Sequence, residues 1–207
     1  MVAEKVVVFD IETTGLLPGD GGRPIEIGAV LIDHGMIVDS FQSLMNPGIM
    51  ISSWIESLTG ISNQDIQQAP PCEEVIRDFL LFTGELPLVA HNAAYDISFL
   101  DAEMEALCLH RVNPSICTLA LSRKLIVGAP NYKLKTLVEY GEIVSGPTYH
   151  RALEDAEKTG LLWLVILDEL KERYGIHEPA FPLMQQIAAM KKRSLKKFLA
   201  AQGGKQT

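Results

Sequence analysis

The hydrophobic positions of the chain recur with two different periods. Residues 6–9 are an unbroken apolar run, Val-Val-Val-Phe. Residues 23–32, Arg-Pro-Ile-Glu-Ile-Gly-Ala-Val-Leu-Ile, and residues 36–44 follow, separated by the turn-forming segments Gly-Asp-Gly-Gly at 19–22 and Asp-His-Gly at 33–35. Apolar runs bounded by such residues predict three strands, and their short links predict an antiparallel meander. The spacing then lengthens. Ser52 or Ser53 is placed to cap a short helix through Leu58. Val75, Phe79 and Leu80 repeat at helical spacing behind Pro71-Cys72-Glu73-Glu74, with Gly84 as the stop, and Ile97, Leu100, Met104 and Leu107 do the same over 96–107. Strand-like segments at 86–90 and 115–117 intervene, and helices are expected over 118–126, 133–140 and 151–173. The order predicts an α/β fold, a mixed sheet of three antiparallel strands extended by parallel strands through helical crossovers and flanked by helices. Gly175, Pro179 and Pro182 punctuate the chain, so residues 1–176 are expected as one domain and 177–207 as a basic extension with a helix over 181–200.

Composition narrows the class. With 207 residues, 47% hydrophobic and 21% charged, disorder is not expected. Three cysteines, Cys72, Cys108 and Cys117, are odd in number and form no Cys-x-x-Cys pair, which supports neither a disulfide framework nor a zinc knuckle. The longest apolar stretch, residues 161–167, is too short to cross a bilayer, so a soluble cytoplasmic protein without a membrane partner is expected. The net charge of −8 is unevenly spread: after Met190 the chain has six basic residues and no acid. An acidic body repels phosphate backbones, so a nucleic-acid ligand would need local positive charge from metals or from this tail. The cluster Lys191-Lys192-Arg193 with Lys196-Lys197 reads first as a solvated face and second as a nucleic-acid or partner contact.

The candidate chemistry begins at the end of the first strand. Residues two apart in a strand face the same way, so Asp10 and Glu12 converge. At about 4 Å two such charges repel by roughly 1 kcal/mol in water and several times that inside a protein, and hard Mg²⁺ or Mn²⁺ is the natural counterion. Asp96 and Asp155 each stand where a polar junction enters a predicted helix. A strand end and two helix starts meeting above one sheet would surround a metal pair with four carboxylates. Each acid also has a plain reading: Asp96 as a helix cap, Asp155 as first-turn charge favoured by the helix dipole, and His91 or Asn92 as turn residues. Asp101, Glu103, Glu105, Glu154 and Glu157 read as helix-surface charges.

Three ordered segments together are more specific than any one. Residues 9–16, Phe-Asp-Ile-Glu-Thr-Thr-Gly-Leu, 91–96, His-Asn-Ala-Ala-Tyr-Asp, and 150–155, His-Arg-Ala-Leu-Glu-Asp, resemble the three motifs of the DEDDh (DnaQ-like) 3′–5′ exonucleases. That family includes the proofreading epsilon subunit of bacterial DNA polymerase III. Leu58-Thr59-Gly60-Ile61, Ala69-Pro70-Pro71 and Cys117-Thr118-Leu119-Ala120 carry the similarity over residues 6–170 or so.

The resemblance implies an RNase H-like fold and hydrolysis from a 3′ end, single-stranded or frayed, releasing 5′-mononucleotides. It implies that Asp10, Glu12, Asp96 and Asp155 hold two divalent cations, Mg²⁺ or Mn²⁺, with His150 as general base, a task suited to imidazole. His150 stands five residues before Asp155. The tyrosine branch of the family has its tyrosine four before, where this chain has Arg151. By the same resemblance Thr13, Thr14, Gly15 and Leu16 receive the terminal nucleotide, and His91, Asn92 and Tyr95 line the phosphate path. Tyr95 replaces the family's usual phenylalanine, and the segment between Tyr140 and His150 is shorter than in many relatives. DNA proofreading or repair, with a DNA polymerase subunit as partner, is expected ahead of RNA trimming. The alternative is a noncatalytic 3′-end-binding or polymerase-assembly subunit of the same fold. A phosphatase using an aspartyl nucleophile would need a downstream lysine and acidic pair that the chain lacks in matching context.

Overall fold

Residues 2–15, 17–143, 146 and 150–203 are described by the computed structural model of the chain. Strands β1 (Val6–Thr13), β2 (Pro24–Asp33) and β3 (Met36–Leu44) form the expected antiparallel meander. Only His34 and Gly35 separate β2 from β3, and both have positive φ, 48° and 77°, as a two-residue hairpin whose twist matches its strands requires. Strand β4 (Leu88–Ala90) joins β1 in parallel, and β5 (Ser115–Cys117) joins β4 in parallel, giving the order β3-β2-β1-β4-β5. The mixed sheet, flanked by helices, is the RNase H-like architecture.

Helices α1 (Ser53–Thr59), α2 (Asn63–Gln68) and α3 (Cys72–Thr83) lead into β4. Ser52 is the residue that caps α1, accepting from the Ile55 amide. Helix α4 (Ala94–Ala106) connects β4 to β5, and α5 (Thr118–Leu125), α6 (Leu134–Tyr140) and the long α7 (Ala152–Tyr174) follow. The single helix expected over 181–200 is two, α8 (Phe181–Ala189) and α9 (Lys192–Gly203), with Met190 in extended conformation between them. The break lets both apolar faces meet the body: Phe181, Met184, Ile187, Leu195 and Leu199 are buried in one cluster with Leu162, Trp163 and Ile166 of α7. The α9 residues Lys192, Arg193, Lys196 and Lys197 remain exposed. None of the described helices is long and apolar enough to cross a membrane.

The alternation of β1 assigns its residues to two layers. Val7, Phe9 and Ile11 face a cluster containing Phe79 of α3 and Phe99, Leu100 and Met104 of α4. Val6 and Val8 face α7 together with Val30 and Ile32 of β2. Two residues further along, the α7 side of the same strands carries Asp10 and Glu12, opposite Gly28 and Glu26. Here α7 begins. A Cβ on Gly28 would lie 2.1 Å from the Leu153 amide nitrogen, a contact no side chain can make. Glycine at this position therefore lets the first turn of α7, and Asp155 with it, come down onto the sheet beside β1.

Candidate active site

The three motif segments gather at the carboxyl ends of the parallel strands: Asp10 and Glu12 from β1, residues 91–96 after β4, and the start of α7. The Ile11 amide, between the two acids of β1, donates to Asp96 Oδ1 at 3.1 Å and fixes the first turn of α4 over the strand. His150 has positive φ, 64°, unusual for a residue with a side chain, and its amide donates to Asp155 Oδ2 at 3.0 Å. Glu12, His150 and Asp155 each offer a ligand atom within 4.8 Å of the others. Asp96 and Asp155 are buried, Asp10 and Glu12 half-buried, and His150 exposed.

Burial, then the charges of Asp96, Glu12, Asp155 and Glu26, holds the Asp10 carboxyl well above its usual range. Burial, then Asp155 and Glu26, pushes Glu12 up to about 7, opposed by Arg151. Asp96 also rises to about 7, through burial first and Glu12 last, although the Ile11 amide favours its charged form. Asp155 is raised by burial against the opposing His150 amide and Lys158. Among the described residues, these four acids and Glu26 are accompanied by the cations Arg151 and Lys158. Asp155 Oδ1 is buried, accepts no hydrogen bond and lies 3.6 Å from Lys158 Nζ. An excess of crowded, partly desolvated hard oxygens beside one imidazole suits a divalent cation of the Mg²⁺ or Mn²⁺ kind.

The raised values set a pH dependence. Without divalent ions the folded state holds protons that the unfolded chain has released, so this cluster favours folding most below about pH 4. The contribution is lost as pH rises toward 7, where Glu12 and Asp96 ionise in the folded protein. In chelator the site should therefore lower Tm progressively from pH 5 to 8, and Mn²⁺ should raise Tm by an increment that grows over the same interval. Thermal melts across pH, with Asp10→Asn separating the site's share, check this; a Mn²⁺ increment independent of pH would contradict it.

The remaining expected residues fall around this centre. Thr13 is buried, with Oγ1 2.7 Å from the Tyr95 hydroxyl and accepting from the Gly15 amide at 3.1 Å. Thr14 Oγ1 accepts from the Arg23 amide. The turn at 13–15 is thus tied to both β2 and α4. Leu16 lies outside the described residues. Asn92 is exposed, with φ of 66°. His91 is half-buried; its Nε2 donates to the Tyr132 carbonyl at 3.0 Å, which leaves Nδ1 to accept from the Thr118 hydroxyl at 2.9 Å. Both ring nitrogens therefore fasten α5 and the loop before α6 to the end of β4.

Two residues central to the geometry are not apparent in the sequence as site residues. Glu26 is fully buried and accepts from Arg151 Nη2 at 2.9 Å, the Ala152 amide at 3.0 Å and Gln42 Nε2 at 2.9 Å, so it anchors the N-terminus of α7. Lys158 is buried one turn beyond Asp155, paired with it and with Glu154 at 3.8 Å. The surface reading of Glu103 is corrected: it is buried and takes a two-pronged bond from Arg23, at 2.6 and 3.0 Å, because α4 turns this position toward the start of β2.

A family model described as Exonuclease matches residues 7–162. The chain belongs to this family and carries an exonuclease domain of the 3′–5′ class. It is 38% identical over 172 residues to DNA polymerase III subunit epsilon of Aquifex aeolicus, covering 82% of this chain and 84% of that protein. It is 46% identical over 168 residues to the DNA polymerase III PolC-type protein of Caldanaerobacter subterraneus subsp. tengcongensis, covering 81% of this chain but only 12% of that longer protein. Among solved structures, Exonuclease X in complex with 5′ overhanging duplex DNA superposes with a TM-score of 0.69 and 26% identity, covering 89% of this chain and 99% of the other.

Proposed function

We propose that the protein hydrolyses the terminal phosphodiester bond at a nucleic-acid 3′ end, single-stranded or frayed, and releases 5′-mononucleotides, with DNA as substrate and proofreading or repair as its role. The observation that carries this reading is the convergence of Asp10, Glu12, Asp96 and Asp155 with His150 beside them. These carboxylates would hold two divalent cations, Mg²⁺ or Mn²⁺. Such ions, when bound, activate water and stabilise the departing oxygen. The polymerase relatives support an association with a DNA polymerase.

The chain's own residues prepare the rest. Thr13, Thr14 and Gly15 receive the terminal nucleotide, with Thr13 held by the Tyr95 hydroxyl, and Asn92 faces the phosphate path. His150 accepts the proton of the attacking water and returns it to solvent, since its ring is exposed while its backbone is tethered to Asp155. His150→Ala should lower kcat about 10²- to 10⁴-fold, the range for loss of a general base. Calorimetric Mn²⁺ affinity should change little. An unchanged kcat would remove the residue from the reaction, and a collapse of Mn²⁺ affinity would make it a ligand instead. The activity itself is tested with end-labelled DNA and RNA oligomers of matched sequence, with and without Mg²⁺. The expected result is Mg²⁺-dependent shortening from the 3′ end, faster on DNA; absence of shortening on both would overturn the reading.

A further inference from the structure

A groove of about 660 Å³ opens beside the active site, lined by His91 and Asn92 after β4, Leu119 and Arg123 of α5, and the loop 130–134 with Tyr132 and Lys133. Its size is that of a ligand site. Its lining contains two cations and no acid, in a protein of net charge −8. Arg123 and Lys133 are exposed, whereas Leu119, Tyr132 and Leu134 are half-buried, so charged rims border an apolar and aromatic floor. The wall is built rather than incidental: His91 bonds to both Thr118 and Tyr132, and the Tyr132 hydroxyl donates to the Ile126 carbonyl at 3.3 Å. The groove also borders the segment that carries one of the acids. Asn92 lines it, and the Asn92 carbonyl accepts from the Tyr95 amide in the turn that delivers Asp96.

We infer that this groove carries the single-stranded DNA immediately 5′ of the nucleotide being removed, with Arg123 and Lys133 on its phosphates and Tyr132 with Leu119 and Leu134 against its bases. The inference rests on the exonuclease reading and adds the route by which the strand leaves the site. A strand whose terminal nucleotide sits at residues 13–15 has its scissile phosphate at the carboxylates, and its next phosphates must avoid an acidic body. The cation-rimmed groove contiguous with Asn92 supplies that course, by charge pairing on the backbone and sequence-tolerant stacking beneath it.

The test compares two substrates in the full chain and in R123A/K133A, two exposed positions whose truncation leaves the fold in place. Thymidine 5′-monophosphate p-nitrophenyl ester occupies only the terminal site, whereas a single-stranded oligomer of about eight nucleotides also occupies the groove. For the oligomer, kcat/KM should fall at least tenfold through KM, and its slope against salt on logarithmic axes should become shallower by about 1.4, the value for two lost phosphate contacts. Ester hydrolysis should be unchanged. Anisotropy of the same labelled oligomer in chelator gives a readout without turnover and should show the same loss of affinity. Equal losses on both substrates, or no change in oligomer binding, overturn the groove while leaving the exonuclease reading intact. If the unaltered protein binds the oligomer through the groove yet hydrolyses neither substrate, the exonuclease reading fails and the groove stands.

Discussion

Asp10→Asn is expected to slow nucleotide release by about a hundredfold to a thousandfold, the scale on which one electrostatic group at a reacting centre acts. The same substitution is expected to raise Tm in chelator at pH 8. The two effects have one origin. Asp10 sits among four other carboxylates that hold its own carboxyl well above the ordinary range, so replacing it with a neutral amide of the same shape relieves repulsion in the absence of metal. It also removes one of the proposed ligands, so any stabilisation by Mn²⁺ of the native protein is expected to shrink sharply. Asp155→Asn should be equally inactive but less stable, because the buried Lys158 loses one of its carboxylate partners, the one at 3.6 Å, and keeps Glu154 at 3.8 Å. Single-turnover rates together with melts in chelator and in Mn²⁺ distinguish these outcomes. Near-normal release by either variant would dismantle the proposed centre.

Glu26→Ala should destabilise the protein by about 2–3 kcal/mol, below the full penalty for breaking a buried pair because Arg151 can turn toward water. The Ala152 amide loses its acceptor at 3.0 Å, and α7 loses the anchor that sets the depth of Asp155 and the placement of His150. Removing Glu26 also lessens the upward push on Asp10 and Glu12, which alone would favour metal binding. Displacement of the ligands should prevail, with Mn²⁺ affinity falling about 10- to 100-fold, as when outer-shell support is removed. Glu26→Gln, which keeps an acceptor for the amide, should recover part of both losses. Unchanged Tm and Mn²⁺ affinity in Glu26→Ala would show that α7 is held by its apolar contacts alone.

The sheet and most helices are legible because their signals are local. The apolar runs of β1 and β2, the His34-Gly35 turn, the Ser52 cap of α1 and the glycine stops of α3 and α7 each lie within a few residues of the element they define. Asp10 and Glu12 are legible as a pair for the same reason. Glu26 is not: an acid within an apolar strand looks like a tolerated interruption until Arg151 and Ala152, over a hundred residues away, are folded against it. Glu103 and Lys158 occupy helix positions where charge is common, and only the packing of α4 and α7 shows that both are enclosed. The capping box of α2, Ser62 with Asp65, is a local signal present in the sequence, and the expected elements omit it. The division between α8 and α9 has no glycine or proline to mark it and follows from where each apolar face finds the body.

The opposition of Gly28 to Asp10 makes alignment of the first hairpin inseparable from competence. Sliding β2 by one residue would exchange its two faces. Ile27 would then stand where even a methyl group meets the Leu153 amide, and Glu26 would point into the layer holding Phe9 and Phe79. A misaligned hairpin could not seat the long helix at all, so a nascent chain that pairs its strands wrongly is barred from becoming a compact but inert nuclease and must reopen to try again.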